Sequence, residues 1–175
     1  MTEIIFDESL LNLETRVTNE PLPGVYISRR RINIDDRGTL VSLIRADEEF
    51  AIDRIEEVYI IHNKTKNIIR AFHGHKELID WFSIIKGSAK FILVDARKTL
   101  QGQPNPCLGN INEIVLSDSH ISTLTVPPGV FHGWMSLEDN TILCSIANRV
   151  YRHSNPDEFR IPPDSFNVKW GVRFR

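Results

Sequence analysis

The sequence contains little of what membrane-spanning or nucleic-acid-binding proteins require. No apolar run reaches the roughly 20 residues of a membrane-spanning helix, and the densest basic run is the short stretch Arg29–Arg31. We interpret that stretch as a solvated strand edge and not as a phosphate site. The net charge of the 175 residues is only −2, with a quarter of them charged. We therefore expect a soluble globular protein without nucleic-acid or membrane partners.

Cysteine is scarce, and the N-terminus has no export signal. Cys107 and Cys144 are the two cysteines, and their spacing does not match that of a metal-binding pair. The segment Met1–Glu8 is acidic and lacks the basic-then-apolar order of a signal peptide. We therefore expect reduced thiols and a cytoplasmic location, with Cys144 buried as a small apolar residue.

Internal repeats are absent, and the middle of the chain has no long helical period. From Val25 onward, short β-branched or aromatic runs alternate with turn residues. The predicted strands are Gly24–Ile32, Leu40–Ile44, Glu57–His62, Ile68–His73, Trp81–Ile85, Lys90–Val94, Glu113–Leu116, Ser122–Val126 and Thr141–Ala147. So many short strands, in a chain long enough to bury one core, predict an all-β sandwich or jelly roll.

The predicted organisation is a single domain, residues 25–175, preceded by an N-terminal arm, residues 1–24. The arm combines leucines with acids and ends in Pro21–Gly24, which breaks any helix. We expect it to form a short helix or to pack on a partner. Residues 99–112 are predicted to form a surface loop, and the tail, residues 156–175, is predicted to return across one sheet.

Two segments carry the histidines of a candidate site. Arg70–Lys76 contains His73 and His75, which point to the same face if they lie at i and i+2 of a strand. Pro127–His132 is a proline-glycine turn that places a third histidine, His132, at the start of an apolar stretch. Three imidazoles that converge inside a β-barrel predict a chemical site and not an ordinary core.

The spacing of these segments is similar to that of a known superfamily. With Asp80 and Gly87, the first segment reads His-x-His-x4-Asp-x6-Gly, and the second reads Pro-x-Gly-x2-His. Both resemble the sequence motifs of the cupins, in which the acidic residue is usually Glu. The resemblance implies a cupin-type double-stranded β-helix, or jelly roll, with a short N-terminal arm.

A narrower resemblance covers residues 35–170 and involves two families of nucleotide-sugar cupins. Val58–Ile61 and Arg70–Lys76 resemble the Val-Tyr-Tyr-Ile and Arg-Gly-Phe-His-Ala-His-Lys segments of the dTDP-4-keto-6-deoxyglucose 3,4-ketoisomerases. Val94–Arg97 and Pro127–Trp134 resemble segments of the dTDP-4-dehydrorhamnose 3,5-epimerases. Both families act on the same kind of substrate.

The chain departs from the epimerase pattern at three positions. Asp80, Ala147 and Pro163 stand where that family has a lysine, a tyrosine and an aspartate. The missing tyrosine matters most, because an epimerase uses an acid on the ring face opposite its base. The ketoisomerase pattern keeps its tyrosine and both histidines.

The resemblance implies an isomerase or epimerase that acts on a nucleoside-diphosphate (dTDP) 4-keto-6-deoxyhexose in deoxysugar or surface polysaccharide biosynthesis. Both reactions begin when a base removes a proton next to the ketone, and histidine titrates near neutrality. The predicted catalytic residues are His73, His75 and Tyr59. Tyr59 or the second histidine is the predicted donor to the enolate oxygen.

Substrate binding is assigned to Arg37, Arg70, His132, Asp80 and Trp134. The two arginines are candidates for the diphosphate, since a guanidinium group binds phosphate in a bidentate manner. A lumen-facing aromatic side chain, which is one of Phe72, Trp81 and Trp134, is expected to flank the base or the sugar.

Two other functions stay open from the residues. In a metal-dependent cupin such as a dioxygenase, Fe, Mn, Ni or Zn would be held by His73, His75, Asp80 and His132. The departures from the epimerase pattern also fit a sugar-binding cupin without activity. The two isomerase families require no cofactor. The resemblance further implies a homodimer, with the N-terminal arm or an edge strand at the interface.

Overall fold

The structure is a computed structural model that describes residues 1–48 and 55–172. Fifteen strands are found in these residues: β1 (Arg16–Val17), β2 (Tyr26–Arg29), β3 (Ile32–Asp35), β4 (Gly38–Val41), β5 (Glu57–Asn63), β6 (Ile69–Gly74), β7 (Asp80–Lys86), β8 (Ser88–Asp95), β9 (Thr99–Leu100), β10 (Gln103–Pro104), β11 (Asn110–Ser117), β12 (Ser122–Val126), β13 (Val130–Ser136), β14 (Thr141–Ala147) and β15 (Phe159–Arg160). Short 3₁₀ helices are Glu8–Asn12, Asp118–His120 and Ser165–Asn167. In this part of the chain, no helix is long and apolar enough to cross a membrane.

Two sheets form the body of the molecule. The six-stranded sheet has the order β1-β11-β8-β13-β6-β15, and the five-stranded sheet has the order β2-β12-β7-β14-β5. All pairs in them are antiparallel except β1 with β11. The predicted loop at residues 99–112 contains the β9–β10 hairpin, and its last three residues begin β11.

An apolar core fills one end of the space between the sheets. Because side chains alternate along a strand, Phe91 and Leu93 of β8 point inward, whereas Ile92 and Val94 point to the outer face. The inward residues pack against Phe82 and other members of the opposite sheet. The strand is therefore buried on both faces, and the other end of the interior remains open for polar side chains.

The N-terminal arm and the tail cover the outer face of the six-stranded sheet. Leu10 of the first 3₁₀ helix is fully buried there, and Asp7 caps that helix with a 2.9 Å hydrogen bond from the Ser9 amide. From the tail, Ile161 and Phe166 enter the same cluster. The arm thus forms the predicted short helix and packs on its own chain, and the tail returns across a sheet as predicted. The last three residues of the tail lie outside the described residues.

Two of the three aromatic candidates for the lumen lie elsewhere. Phe72 is fully buried in the outer cluster, where its ring meets those of Phe166 and Trp170 at 5.2 and 5.4 Å. Trp81 lies on the outer face of the five-stranded sheet. It packs there with Cys144, which is buried as the sequence predicted. Neither Phe72 nor Trp81 faces the lumen.

Candidate active site

A cavity of about 700 Å³ opens between the two sheets at the end that the apolar core leaves free. Its volume is in the range of small-molecule sites. The lining residues that carry chemistry are Glu57, Tyr59, Arg70, His73, His75, Asp80, His132, Trp134, Tyr151, Glu158 and Arg160. Seven of the eight predicted site residues are thus brought together, and Arg37 is the exception.

The three motif histidines meet on one wall of the cavity. His73 on β6 pairs in register with His132 on β13, and their rings stack 6.1 Å apart. The His75 ring lies 5.6 Å from that of His132. The apolar stretch that begins at His132 is therefore a strand, β13, which the sequence analysis did not assign.

The turn before His132 is tied to the first histidine segment. Gly129 has a φ of +78°, a left-handed conformation that glycine adopts without steric cost. Its amide donates a 2.8 Å hydrogen bond to the carbonyl of His75. The turn thus holds the two histidine segments together at the mouth of the barrel.

Glu158 fixes the imidazole of His73. Its Oε1 accepts a 2.7 Å hydrogen bond from Nδ1 of His73, and its Oε2 accepts one of 2.7 Å from Arg160. Burial opposes ionisation of Glu158, but these hydrogen bonds outweigh it and lower its pKa to about 2. Because an ionised carboxylate only accepts hydrogen bonds, Nδ1 of His73 carries the hydrogen, and Nε2 is left to take a proton.

His75 has different partners. Its Nδ1 donates to the backbone carbonyl of Asp157, and its Nε2 lies 3.5 Å from Oδ2 of Asp80. The same carboxyl oxygen is 3.6 Å from Nε2 of His132. Asp80 therefore connects two of the three histidines on the cavity floor.

Burial determines the charges of Asp80 and His132. It raises the pKa of Asp80 to about 7, an effect that His75 reduces and Glu158 increases. Burial also holds the pKa of His132 well below its usual value, and the neighbouring His75 and His73 lower it further. His132 is therefore neutral, which fits a residue that packs 5.1 Å from the Phe82 ring.

Tyr59 faces this wall from the opposite sheet. It lies on β5 beside Ser145 of β14 and remains 42% exposed at the cavity. Burial of its phenol and the nearby carboxyl of Asp80 raise its pKa. The phenol stays protonated at neutral pH and is suited to donate a proton.

The two predicted arginines have different positions. Arg70 lines the cavity, and Asn63 orients it by accepting a 2.8 Å hydrogen bond from its Nε. Arg37 lies at the tip of the β3–β4 hairpin, where its exposed side chain pairs with Asp35. Within one chain, Arg37 does not reach the cavity, and its predicted role in substrate binding has no support from this placement.

Comparison with known proteins identifies the family. Residues 19–175 match the sequence profile of the dTDP-4-dehydrorhamnose 3,5-epimerase family. The chain belongs to this family. It is therefore related to isomerases, as the sequence predicted, and its resemblance to both epimerases and ketoisomerases has counterparts among individual relatives.

Two curated relatives illustrate the two activities. The probable low-salt glycan biosynthesis epimerase Agl13 of Haloferax volcanii is 29% identical over 143 residues, which cover 80% of this chain and 87% of that protein. The TDP-4-oxo-6-deoxy-α-D-glucose-3,4-oxoisomerase of Aneurinibacillus thermoaerophilus is 29% identical over 118 residues, with 67% and 74% covered.

A solved structure confirms the fold. The dTDP-4-dehydrorhamnose 3,5-epimerase of Bacillus anthracis, crystallised with TDP and PPi bound, superposes with a TM-score of 0.76. It is 18% identical, and the match covers 88% of this chain and 90% of that one. The predicted cupin-type jelly roll is therefore confirmed.

The metal-centred alternative is not supported. Ligand atoms of His75, Asp80 and His132 lie within 4.8 Å of one another, but His73 is not part of that group. The four-ligand set that the metal reading requires is not assembled, and the chain belongs to an epimerase family.

Sequence reasoning missed the residues that the tail brings to the site. Glu158, Arg160 and Tyr151 line the cavity, and Asp157 binds His75 from behind. Strand β15 brings the tail residues Asp157, Glu158 and Arg160 there by pairing Arg160 with His73, whereas Tyr151 precedes the tail. The available signal was the acidic pair Asp157-Glu158, followed by the alternating Phe159-Arg160-Ile161 in a tail predicted to cross the sheet.

Asp80 makes stability depend on pH. Because its pKa is raised, Asp80 keeps its proton up to a higher pH in the folded state than in the unfolded state. The free energy of unfolding therefore falls as pH rises from about 4 to 7. Full ionisation costs up to about 4 kcal/mol. We expect Asp80→Asn to raise the melting temperature relative to wild type at pH 8 and to give a clearly smaller gain at pH 5.

Thermal unfolding of both proteins at the two pH values checks this expectation. The exposed substitution Asp36→Asn is the matched control, since Asp36 lies in a hairpin turn. An equal difference between Asp80→Asn and wild type at pH 5 and pH 8 would show that Asp80 does not retain a proton.

Proposed function

We propose that the protein is an isomerase that acts on a dTDP-linked 4-keto-6-deoxyhexose, and that His73 removes the proton at C3. The observation that carries this proposal is the His73–Glu158 pair at the wall of a sugar-sized cavity. An anionic partner at Nδ1 stabilises the imidazolium ion that forms when Nε2 accepts a proton. Family membership and the named activities of the relatives supply the substrate class.

Ketoisomerisation is favoured by the arrangement of one wall. His75 follows His73 at i+2 and lines the same cavity, so the pair can move a proton from C3 to C4 on one face of the ring. The oxoisomerase relative is consistent with this outcome.

Epimerisation is favoured by Tyr59. Its phenol belongs to the sheet that faces the histidines, so it stands where an acid would protonate the opposite ring face. Ala147, which replaces the tyrosine of the epimerase pattern, lines the cavity on the neighbouring strand and leaves space there.

Proton NMR with dTDP-4-keto-6-deoxyglucose in D₂O tests the proposal, and a reaction without protein corrects for spontaneous exchange. A new 3-keto sugar, with any solvent deuterium at C4, identifies the ketoisomerase. Deuterium at C3 alone, or at C3 and C5, with inverted products identifies an epimerase. Wild-type protein that forms no new sugar and exchanges neither position would refute the function.

Side chains present in the cavity meet the needs of this chemistry. The reaction moves protons and leaves the substrate's overall oxidation state unchanged, so we propose that it needs no cofactor. The relative named for glycan biosynthesis supports a role in making surface polysaccharides. The two cysteines are unpaired, and we propose a cytoplasmic location, as expected for reduced thiols.

We also propose that the protein forms a homodimer. The β3–β4 hairpin is a separate two-stranded sheet with Ile34 and Leu40 exposed, and isolated hairpins are marginally stable in water. The edge strand β5 exposes Val58 and Ile60. A molar mass in solution of twice 20.1 kDa is expected by light scattering, and the mass of one chain would contradict it.

Arg70 is the candidate for the diphosphate. A charge-assisted hydrogen bond contributes about 1.5–3 kcal/mol, so Arg70→Ala is expected to raise KM by roughly 10- to 100-fold with a smaller change in kcat. Steady-state kinetics measure both constants. Arg45→Ala removes an exposed arginine paired with Asp47 and serves as the control. An unchanged KM in Arg70→Ala would remove Arg70 from the binding site.

A further inference from the structure

Asp157 clamps the chain segment that follows His75. Its carboxylate accepts hydrogen bonds of 2.9, 2.8 and 2.9 Å from the amides of Lys76, Glu77 and Leu78. Three backbone donors on one carboxylate satisfy amide groups that no strand partner reaches. The segment between β6 and β7 is thereby fixed to the tail.

The same residue binds the imidazole of His75. The backbone carbonyl of Asp157 accepts from Nδ1 of His75. Because a carbonyl carries no hydrogen, Nδ1 must be the protonated nitrogen. Nε2 is then the nitrogen that faces Asp80, 3.5 Å away, and the cavity.

The next residue in the chain, Glu158, orients His73 in the same way, because its carboxylate accepts the hydrogen bond from Nδ1 of His73. Asp157 and Glu158, two consecutive residues, therefore set the orientation of His75 and His73. Their position is secured by the pairing of Phe159 with Gly74 on β6 and by the burial of Ile161 in the outer cluster.

We propose that Asp157 is a positioning residue that acts through His75. Its carboxylate holds the segment after His75 in place, and its carbonyl selects the nitrogen that His75 presents to the substrate. The proposal rests on the proposed isomerase function, because it treats His75 as a proton-transfer group. It adds a residue that does not line the cavity and that neither motif contains.

The first test requires no substrate. In protein with ¹⁵N-labelled histidine, NMR distinguishes the Nδ1–H from the Nε2–H tautomer. We expect wild type to show the Nδ1–H form for both His73 and His75. Asp157→Ala keeps the carbonyl but removes the carboxylate that holds the segment after His75. The bond from Nδ1 to the carbonyl is therefore expected to loosen and the preference of His75 to weaken, while His73 keeps its own. An unchanged His75 signal would overturn the proposal, whatever the protein's activity.

The second test measures turnover. Misplacement of a catalytic group by about 1 Å can cost 10²-fold in rate, so we expect Asp157→Ala to lower kcat by about that factor with little change in KM. Asp157→Asn keeps one of the two carboxylate oxygens, and we expect intermediate values. This milder variant also reports the loss of kcat if Asp157→Ala does not fold.

Asp118 provides a matched control. Its carboxylate accepts a 2.7 Å hydrogen bond from the Gly87 amide in the β7–β8 turn, and neither residue lines the cavity. Asp118→Ala thus removes a comparable clamp and is expected to leave kcat and both tautomers unchanged. A His75 tautomer that changes in Asp157→Ala without a loss of kcat would also overturn the positioning role. If wild-type protein does not turn over the substrate, the proposed function fails, and the tautomer test still decides the structural claim.

Discussion

Replacement of His73 by asparagine is expected to abolish detectable proton exchange at C3 while the fold remains intact. A positioned general base contributes about 10²- to 10⁴-fold to the rate. Asparagine has no group that accepts a proton near neutrality, although its amide is similar in size to part of the ring. The rate of deuterium incorporation at C3 in D₂O measures the effect.

The control for this variant is His120→Asn. His120 lies in an exposed 3₁₀ helix and does not line the cavity, so exchange should continue at the wild-type rate. Melting temperatures of both variants report whether the fold is retained. Exchange at the wild-type rate in His73→Asn would remove His73 as the base.

The second large effect is expected for Glu158→Gln. The two oxygens of Glu158 each accept from one donor, Nδ1 of His73 and the guanidinium of Arg160. Glutamine has a single oxygen, so one of these donors must face the amide NH₂ group. Arginine cannot become an acceptor, whereas histidine can, by moving its hydrogen to Nε2.

His73 is therefore expected to switch to the Nε2–H tautomer in Glu158→Gln and to lose the lone pair that accepts the substrate proton. We expect kcat to fall by about 10²-fold or more, with a smaller change in KM. Kinetics combined with ¹⁵N-histidine NMR measure the loss and its cause. Glu138→Gln is the control, since Glu138 binds Ser88 in a turn far from the cavity. An unchanged tautomer together with normal turnover would show that Glu158 does not orient the base.

The sequence contained enough information to predict the barrel and its three histidines. Alternating strands and turn residues specify most of the two sheets locally, and the histidine motifs lie within or beside those strands. The same alternation also excludes two of the predicted aromatic platforms. If His73 and Asp80 point inward, their strand neighbours Phe72 and Trp81 must point outward, as the structure shows.

The hydrogen-bond partners of those histidines were harder to predict from the sequence. Glu158 is 85 positions from His73 along the chain, and β15 has only two residues, which is too short for a periodic pattern. The role of a carboxylate in such a segment depends on which strand it pairs with. Arg37 shows a different limit, because the chemistry of its guanidinium group suggested a binding role, whereas within one chain the hairpin places it beside Asp35.

The short pairing between β15 and β6 also makes the partner of His73 replaceable. The resemblance to the epimerases places Pro163 where their aspartate stands, yet His73 still has a carboxylate, supplied by an earlier residue of the tail. Because the edge strand is held by two residue pairs, a small shift of the tail can exchange one carboxylate for another without disturbing the barrel. Substitutions in that segment can therefore change the partner of His73 while the barrel strands keep their sequence.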